Sequence, residues 1–121
     1  MQRILVIDDA QFMRFTYRRI LAQTEAEIVG EAENGPDGVA LYAQHRPDSV
    51  ILDLTLPGMS GQDVLREIRK IDPTARVIVV SAMGQDAFVR ECLEEGARSF
   101  ISEPFKEHTL LLALGLEKKL E

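Results

Sequence analysis

The sequence predicts an α/β fold whose parallel sheet is covered by helices on both faces, and three observations carry that expectation. Short apolar runs alternate with helix-period segments down the whole chain. Three of the five runs are continuous and rich in β-branched residues, as strands buried on both faces are. Turn-forming pairs punctuate the intervals, at Asn34-Gly35, Pro47-Asp48, Pro57-Gly58 and Asp72-Pro73.

The first strand is read in Ile4-Leu5-Val6-Ile7, the second in Ile28-Val29-Gly30 and the third in Val50-Ile51-Leu52. Val64, Leu65, Ile68 and Ile71 then recur at helical spacing, with Arg66, Glu67, Arg69 and Lys70 on the other face. Val77-Ile78-Val79-Val80 is the fourth strand. A second helical stripe follows in Phe88, Val89, Cys92 and Leu93, and Gly96 sits where a helix stops. Phe100-Ile101 is the fifth strand, and the segment from about Lys106 to Lys119 is expected to close the fold as a helix. Leu110, Leu111, Leu112, Leu114, Leu116 and Leu120 spread too widely there for one buried stripe. They fit either a deeply packed terminal helix or an apolar contact surface. Strand–helix alternation of this kind implies right-handed crossovers.

With 121 residues the chain has enough material for one domain, residues 1–121, and too little for two. No apolar run approaches a membrane span, and the N-terminus lacks a signal-peptide layout. Cys92 is alone, which excludes an internal disulfide, and with His45 and His108 it is too little for a zinc site. A cytoplasmic location is expected. The net charge of −6 argues against direct binding of nucleic acid, whose phosphates are held by basic clusters.

Function is written where polar residues interrupt the apolar runs. Asp8-Asp9 ends the first strand, Asp53 the third and Ser81 the fourth, and Glu103-Pro104 follows the fifth. In a parallel sheet these carboxyl ends share one edge, and ligands bind there. Each residue also has a structural reading: Asp8, Asp9 or Ser81 as a helix cap, Asp53 as the opening of the turn towards Pro57-Gly58. Their convergence favours a site. Carboxylates about 4 Å apart repel by about 4 kcal/mol per pair at an effective dielectric near 20, which an oxygen-seeking divalent cation, Mg²⁺ above all, would relieve. A carboxylate beside such a cation can attack a phosphoryl group and become an acyl phosphate.

The pattern resembles the receiver domains of two-component response regulators, the chemotaxis (CheY-like) members included, from Arg3 to the final helix. The resemblance is carried by Asp8-Asp9, by Glu31-Ala32-Glu33-Asn34-Gly35, and by Pro47 to Asp53 leading into Leu56-Pro57-Gly58-Met59-Ser60-Gly61. Ser81-Ala82, Gly96-Ala97, Phe100 and Pro104-Phe105 complete it. It implies a flavodoxin-like (βα)5 fold, doubly wound, with strand order 2-1-3-4-5. It implies Asp53 as phosphoacceptor and Mg²⁺ held by Asp8, Asp9, Asp53 and the backbone carbonyl of Thr55. Ser81 and Phe100 would form the switch, and Pro104 would follow a cis peptide bond. The implied activity is self-phosphotransfer and autodephosphorylation, not turnover of a separate substrate. A histidine kinase or phosphotransfer protein is the implied donor. A downstream target or dimer partner would meet the fourth helix, fifth strand and fifth helix.

One position departs from the family pattern. Receivers carry a Lys just before the Pro after the fifth strand, and Glu103 stands there. This reverses the charge facing the phosphate, with Lys106 and Arg14 as nearby cations that would offset it. The competing reading is therefore a degenerate receiver, binding partners without phosphorylation. A flavodoxin-type redox protein is disfavoured because Asp8-Asp9 would repel an FMN phosphate. An aspartate-nucleophile phosphatase is disfavoured because Thr55 stands where a second acid is needed. No dinucleotide or P-loop glycine fingerprint is present.

Overall fold

In the computed structural model the described residues are 1–82 and 86–120, without the side chains at positions 86 and 88. The Phe88 member of the expected stripe falls outside them. Five strands alternate with five helices: β1 (Arg3–Ile7), α1 (Gln11–Leu21), β2 (Glu27–Ala32), α2 (Gly35–His45), β3 (Ser49–Asp53), α3 (Gly61–Ile71), β4 (Val77–Ser81), α4 (Asp86–Glu94), β5 (Ser99–Ser102) and α5 (Glu107–Leu114). The strands form one parallel sheet in the order β2-β1-β3-β4-β5. The flavodoxin-like topology implied by the resemblance is the observed one.

Side chains alternate across the sheet with the two-residue period of a strand, so each apolar run feeds two cores. Leu5, Ile7, Val50, Leu52, Val77 and Val79 pack under Tyr42 of α2, Val64, Leu65 and Ile68 of α3, and Cys92 of α4. Ile4, Val6, Ile51, Ile78, Val80 and Ile101 pack under Tyr17, Ile20 and Leu21 of α1 and Leu110, Leu111 and Leu114 of α5. β3 and β4 are buried throughout, whereas β2 at the sheet edge is largely half-exposed. β2 also runs longer than the apolar run that signals it. Glu27 and Glu31 belong to it because an edge strand can turn charged side chains to water, and the register slips by one residue opposite Ile4/Leu5.

Helix boundaries follow local chemistry. Asn34 caps α2 by accepting from the Asp37 N–H at 2.9 Å, and Ser60 caps α3 by accepting from the Asp63 N–H at 3.2 Å. Gly96 ends the α4 segment with φ +105°, the Ala97 N–H reaching back to the Cys92 carbonyl at 3.0 Å. α5 is shorter than expected. Gly115 adopts φ +70°, its N–H donates to Leu112 O, and the Leu116 N–H donates to Leu111 O at 2.8 Å. That left-handed stop ends the helix at Leu114, and residues 116–120 run on without helix. The Lys119 N–H then donates to Gln23 O at 2.8 Å, and Lys118 pairs with Glu107 at 3.0 Å. Of the surplus leucines, Leu110, Leu111 and Leu114 are core, whereas Leu112 and Leu120 face solvent. Among the described residues no helix is long and apolar enough to cross a membrane.

Candidate functional site

The sheet register sets the site. Ile7 pairs with Leu52, so Asp8 and Asp53 lie side by side one step further along β1 and β3. Asp53 pairs with Val80, which puts Ser81 on the neighbouring strand one step beyond. Ser81 pairs with Ser102, and the Glu103 N–H donates to Ser81 O at 2.9 Å. Four strand ends thus deliver Asp8, Asp53, Ser81 and Glu103 to one crevice, and Asp9 stands at its rim.

One carboxylate oxygen from each of Asp8, Asp9 and Asp53 lies within 4.8 Å of the other two, Asp8 and Asp53 buried and Asp9 exposed. Three hard oxygen donors at such a separation fit a cation that takes carboxylates and keeps several waters, as Mg²⁺ does. The burial is electrostatically expensive. Asp8 is pushed up to about 7, chiefly by burial, with Asp53, Glu103 and Asp9 adding like charge against the opposing hydrogen bond from Ala10. Asp53 is raised as well, by burial first and then by Asp9, against two bonds from Thr55. A cation there would relieve both groups.

Local turns hold the carboxylates in place. Asp8 Oδ1 accepts from the Ala10 N–H at 2.9 Å, and the Asp8 N–H donates to Ala32 O. Neither Asp8 nor Asp9 caps α1; its N-cap is Ala10, with no side-chain bond. Asp53 Oδ1 accepts from both the Thr55 N–H at 3.1 Å and the Thr55 hydroxyl at 3.0 Å. Its role as a turn former therefore coexists with its place in the acidic group. The Thr55 hydroxyl was not legible as a site group, because its bond to Asp53 depends on how the turn folds. Gly61, the first residue of α3, lies so close to this turn that a Cβ there would come within 2.4 Å of Leu54 Cα and 2.8 Å of Asp53 O.

Glu103 belongs to the crevice. Its carboxyl is pushed up by burial and then by Asp53, and the Glu103–Pro104 peptide is cis. The offset expected from Lys106 and Arg14 is not the arrangement found. Arg14 donates to the Asp8 carbonyl at 2.7 Å and pairs with Glu31 at 3.5 Å and Glu33 at 3.9 Å. Among the described residues no ion pair joins Lys106 or any other cation to Glu103. Both nearby cations reach other acids or solvent from their own elements, a matter of side-chain direction that spacing does not show. Ser81 is buried at the end of β4, and Phe100 on β5 packs half-buried against the larger core.

A parallel sheet of order 2-1-3-4-5 with acidic residues crowning the adjacent inner strands β1 and β3 is the layout of response-regulator receivers. The chain belongs to that family: the model of the response regulator receiver domain matches residues 4–115. Within it, the chain is similar to the chemotaxis protein CheY of Thermotoga maritima, 44% identical over 118 residues and 98% of both chains. It is also 46% identical to CheY of Bacillus subtilis over 93% of both. Among solved structures, the CheX–CheY–BeF₃–Mg²⁺ complex from Borrelia burgdorferi superposes with a TM-score of 0.90 at 33% identity, covering 93% of this chain and 86% of that one.

Proposed function

We propose that this receiver takes a phosphoryl group onto Asp53 from a histidine kinase or phosphotransfer protein, with Mg²⁺ as cofactor, and that the modification switches a partner-binding surface. The observation carrying this reading is the buried Asp53 carboxylate clustered with Asp8 and Asp9 at the sheet's carboxyl edge. Asp8, Asp9 and Asp53 would hold the metal, with the Thr55 backbone carbonyl as a further protein donor. Bound there, Mg²⁺ supplies positive charge that offsets the carboxylates and the transferred group. Asp53 attacks as a carboxylate, so no proton has to be removed from the nucleophile. A P–O bond forms to Asp53, the P–N bond to the donor imidazole breaks, and its electron pair leaves with the imidazole. The two bonds from Thr55 orient the attacking group.

Ser81, one step from Asp53 on the next strand, is suited to donate its hydroxyl to a phosphoryl oxygen, and Phe100 to repack when it does. The chain acts on itself and turns over no separate substrate, autodephosphorylation being the return step. A downstream target or dimer partner would meet α4, β5 and α5, where Leu93 and Leu112 are exposed. The Borrelia burgdorferi relative, solved with BeF₃, Mg²⁺ and CheX, supports a metal, an added group and a protein partner for a chain of this fold. A cytoplasmic place of action fits such partners. Incubation with acetyl phosphate and Mg²⁺ is expected to add one phosphoryl group by intact mass, and Asp53→Asn to abolish it. Equal labelling of wild type and variant would rule out Asp53.

A further inference from the structure

Tyr17 carries a hydroxyl that the core does not satisfy. The residue is fully buried on α1, and among the described residues its oxygen has no hydrogen-bond partner. A buried unpaired hydroxyl is costly, and natural cores rarely keep one without a use. Its ring stacks on Phe105, with centroids 6.2 Å apart and planes 6° from parallel. Phe105 ends the Glu103-Pro104-Phe105 turn, and Glu103 and Phe105 line a groove of about 640 Å³ together with Met13, Thr16 and Ile20 of α1. Tyr17 thus reaches from α1, the helix that supplies one wall of that groove, to Phe105, two residues after Glu103. Burial, then the charges of Asp8, Glu103 and Asp53, push its pKa upward, which keeps the hydroxyl a proton donor within electrostatic reach of all three carboxylates.

Glu103 presents the complementary problem. It is half-exposed, without an ion-pair partner among the described residues, and faces the carboxylate that would bear the phosphoryl group. A phosphoryl dianion on Asp53 would repel it. We propose that Tyr17 is a positioning residue: when Asp53 is phosphorylated, its buried hydroxyl donates a hydrogen bond to the Glu103 carboxylate and holds that charge away from the phosphoryl group. This rests on the phosphoacceptor reading above and adds to it a neutral donor where a cation would otherwise serve.

The test compares acetyl phosphate labelling and phosphate lifetime in wild type, Tyr17→Phe, Glu103→Gln and the double variant, with Mg²⁺ present. Tyr17→Phe should slow labelling or shorten the lifetime by about tenfold, the effect of one hydrogen bond to a charged group. In the Glu103→Gln background, where no charge needs holding, it should change little. Glu103→Asp, which keeps the charge but shortens the reach, should reproduce the Tyr17→Phe defect. Unlabelled Tyr17→Phe should melt no lower than wild type, because its hydroxyl has no partner among the described residues to lose in that state. Equal effects of Tyr17→Phe in both backgrounds, or none in either, overturn the proposal while leaving the phosphoacceptor reading intact. Failure of wild type itself to label overturns both.

Discussion

At the scale of single residues, the acidic crevice makes the fold sensitive to pH in a direction that can be worked out. Asp8 stands at about 7 against an ordinary 3.8. A raised acid binds its proton more tightly in the folded chain, so between those two values the folded state holds more protons than the unfolded one. Stability must therefore fall as pH rises through that window and level off above it. Asp53 and Glu103, raised for the same reasons, act in the same sense. Without divalent ions the melting temperature should drop by about 5 °C from the acid to the neutral end of the window. Millimolar Mg²⁺ should flatten the slope, because a cation binds the ionised carboxylates of the folded site. Asp8→Asn should flatten it without metal. A slope unchanged by either treatment would place the proton uptake elsewhere. Glu103→Lys is expected to speed acetyl phosphate labelling and to weaken Mg²⁺ binding, since it replaces repulsion of the phosphoryl group by attraction and removes a charge that favours the cation. Labelling rates and Mg²⁺ titrations of the two proteins measure this, and equal values would mean the charge is incidental.

At the scale of elements, the site depends on how closely α3 approaches β3. The Gly61 N–H donates to Leu54 O at 3.1 Å, and a methyl group at Gly61 would meet backbone, which cannot swing aside as a side chain can. Gly61→Ala should cost about 2 kcal/mol in urea unfolding. It should also slow labelling of Asp53, because the turn through Leu54 and Thr55 would have to shift. An unaltered urea midpoint would show that the turn yields freely. This approach was not legible in the sequence, where Gly61 is only the end of a family pattern. The placement of Asp8, Asp53 and Ser81 was legible, because a parallel sheet puts every carboxyl end on one edge and the polar residues interrupt the runs there. The stop at Gly115 used the same chemistry as the stop at Gly96, yet the leucines beyond it carried the helix expectation too far. Tyr17 was hidden for another reason: an aromatic on a buried helix face reads as core, and its hydroxyl gains meaning only from the elements packed above it.

At the scale of the whole molecule, the sheet couples the crevice to a distant face. Ser81 and Phe100 lie on neighbouring strands β4 and β5, and β5 leads through Glu103 into α5. A phosphoryl group that engages Ser81 must therefore change the packing of β5 if it is to be felt beyond the crevice, and it shifts the balance only by its differential affinity for the two arrangements. Hydrogen exchange before and after labelling should show altered protection in β5, α5 and the described part of α4. Changes confined to the turns around Asp8 and Asp53 would argue against such coupling.

The segment beyond Gly115 has a practical corollary. Gln2, just before β1, donates to Leu114 O at 2.8 Å, and the Lys119 N–H donates to Gln23 O in the turn just past α1. Residues 116–120 are therefore moored at the edge of the sheet where strands begin, opposite the acidic residues. A fluorophore, surface anchor or fused protein attached after residue 120 should leave phosphoryl donors unobstructed. The chain can then be immobilised by that end for kinase-binding measurements, with on-rates matching those of the untethered protein.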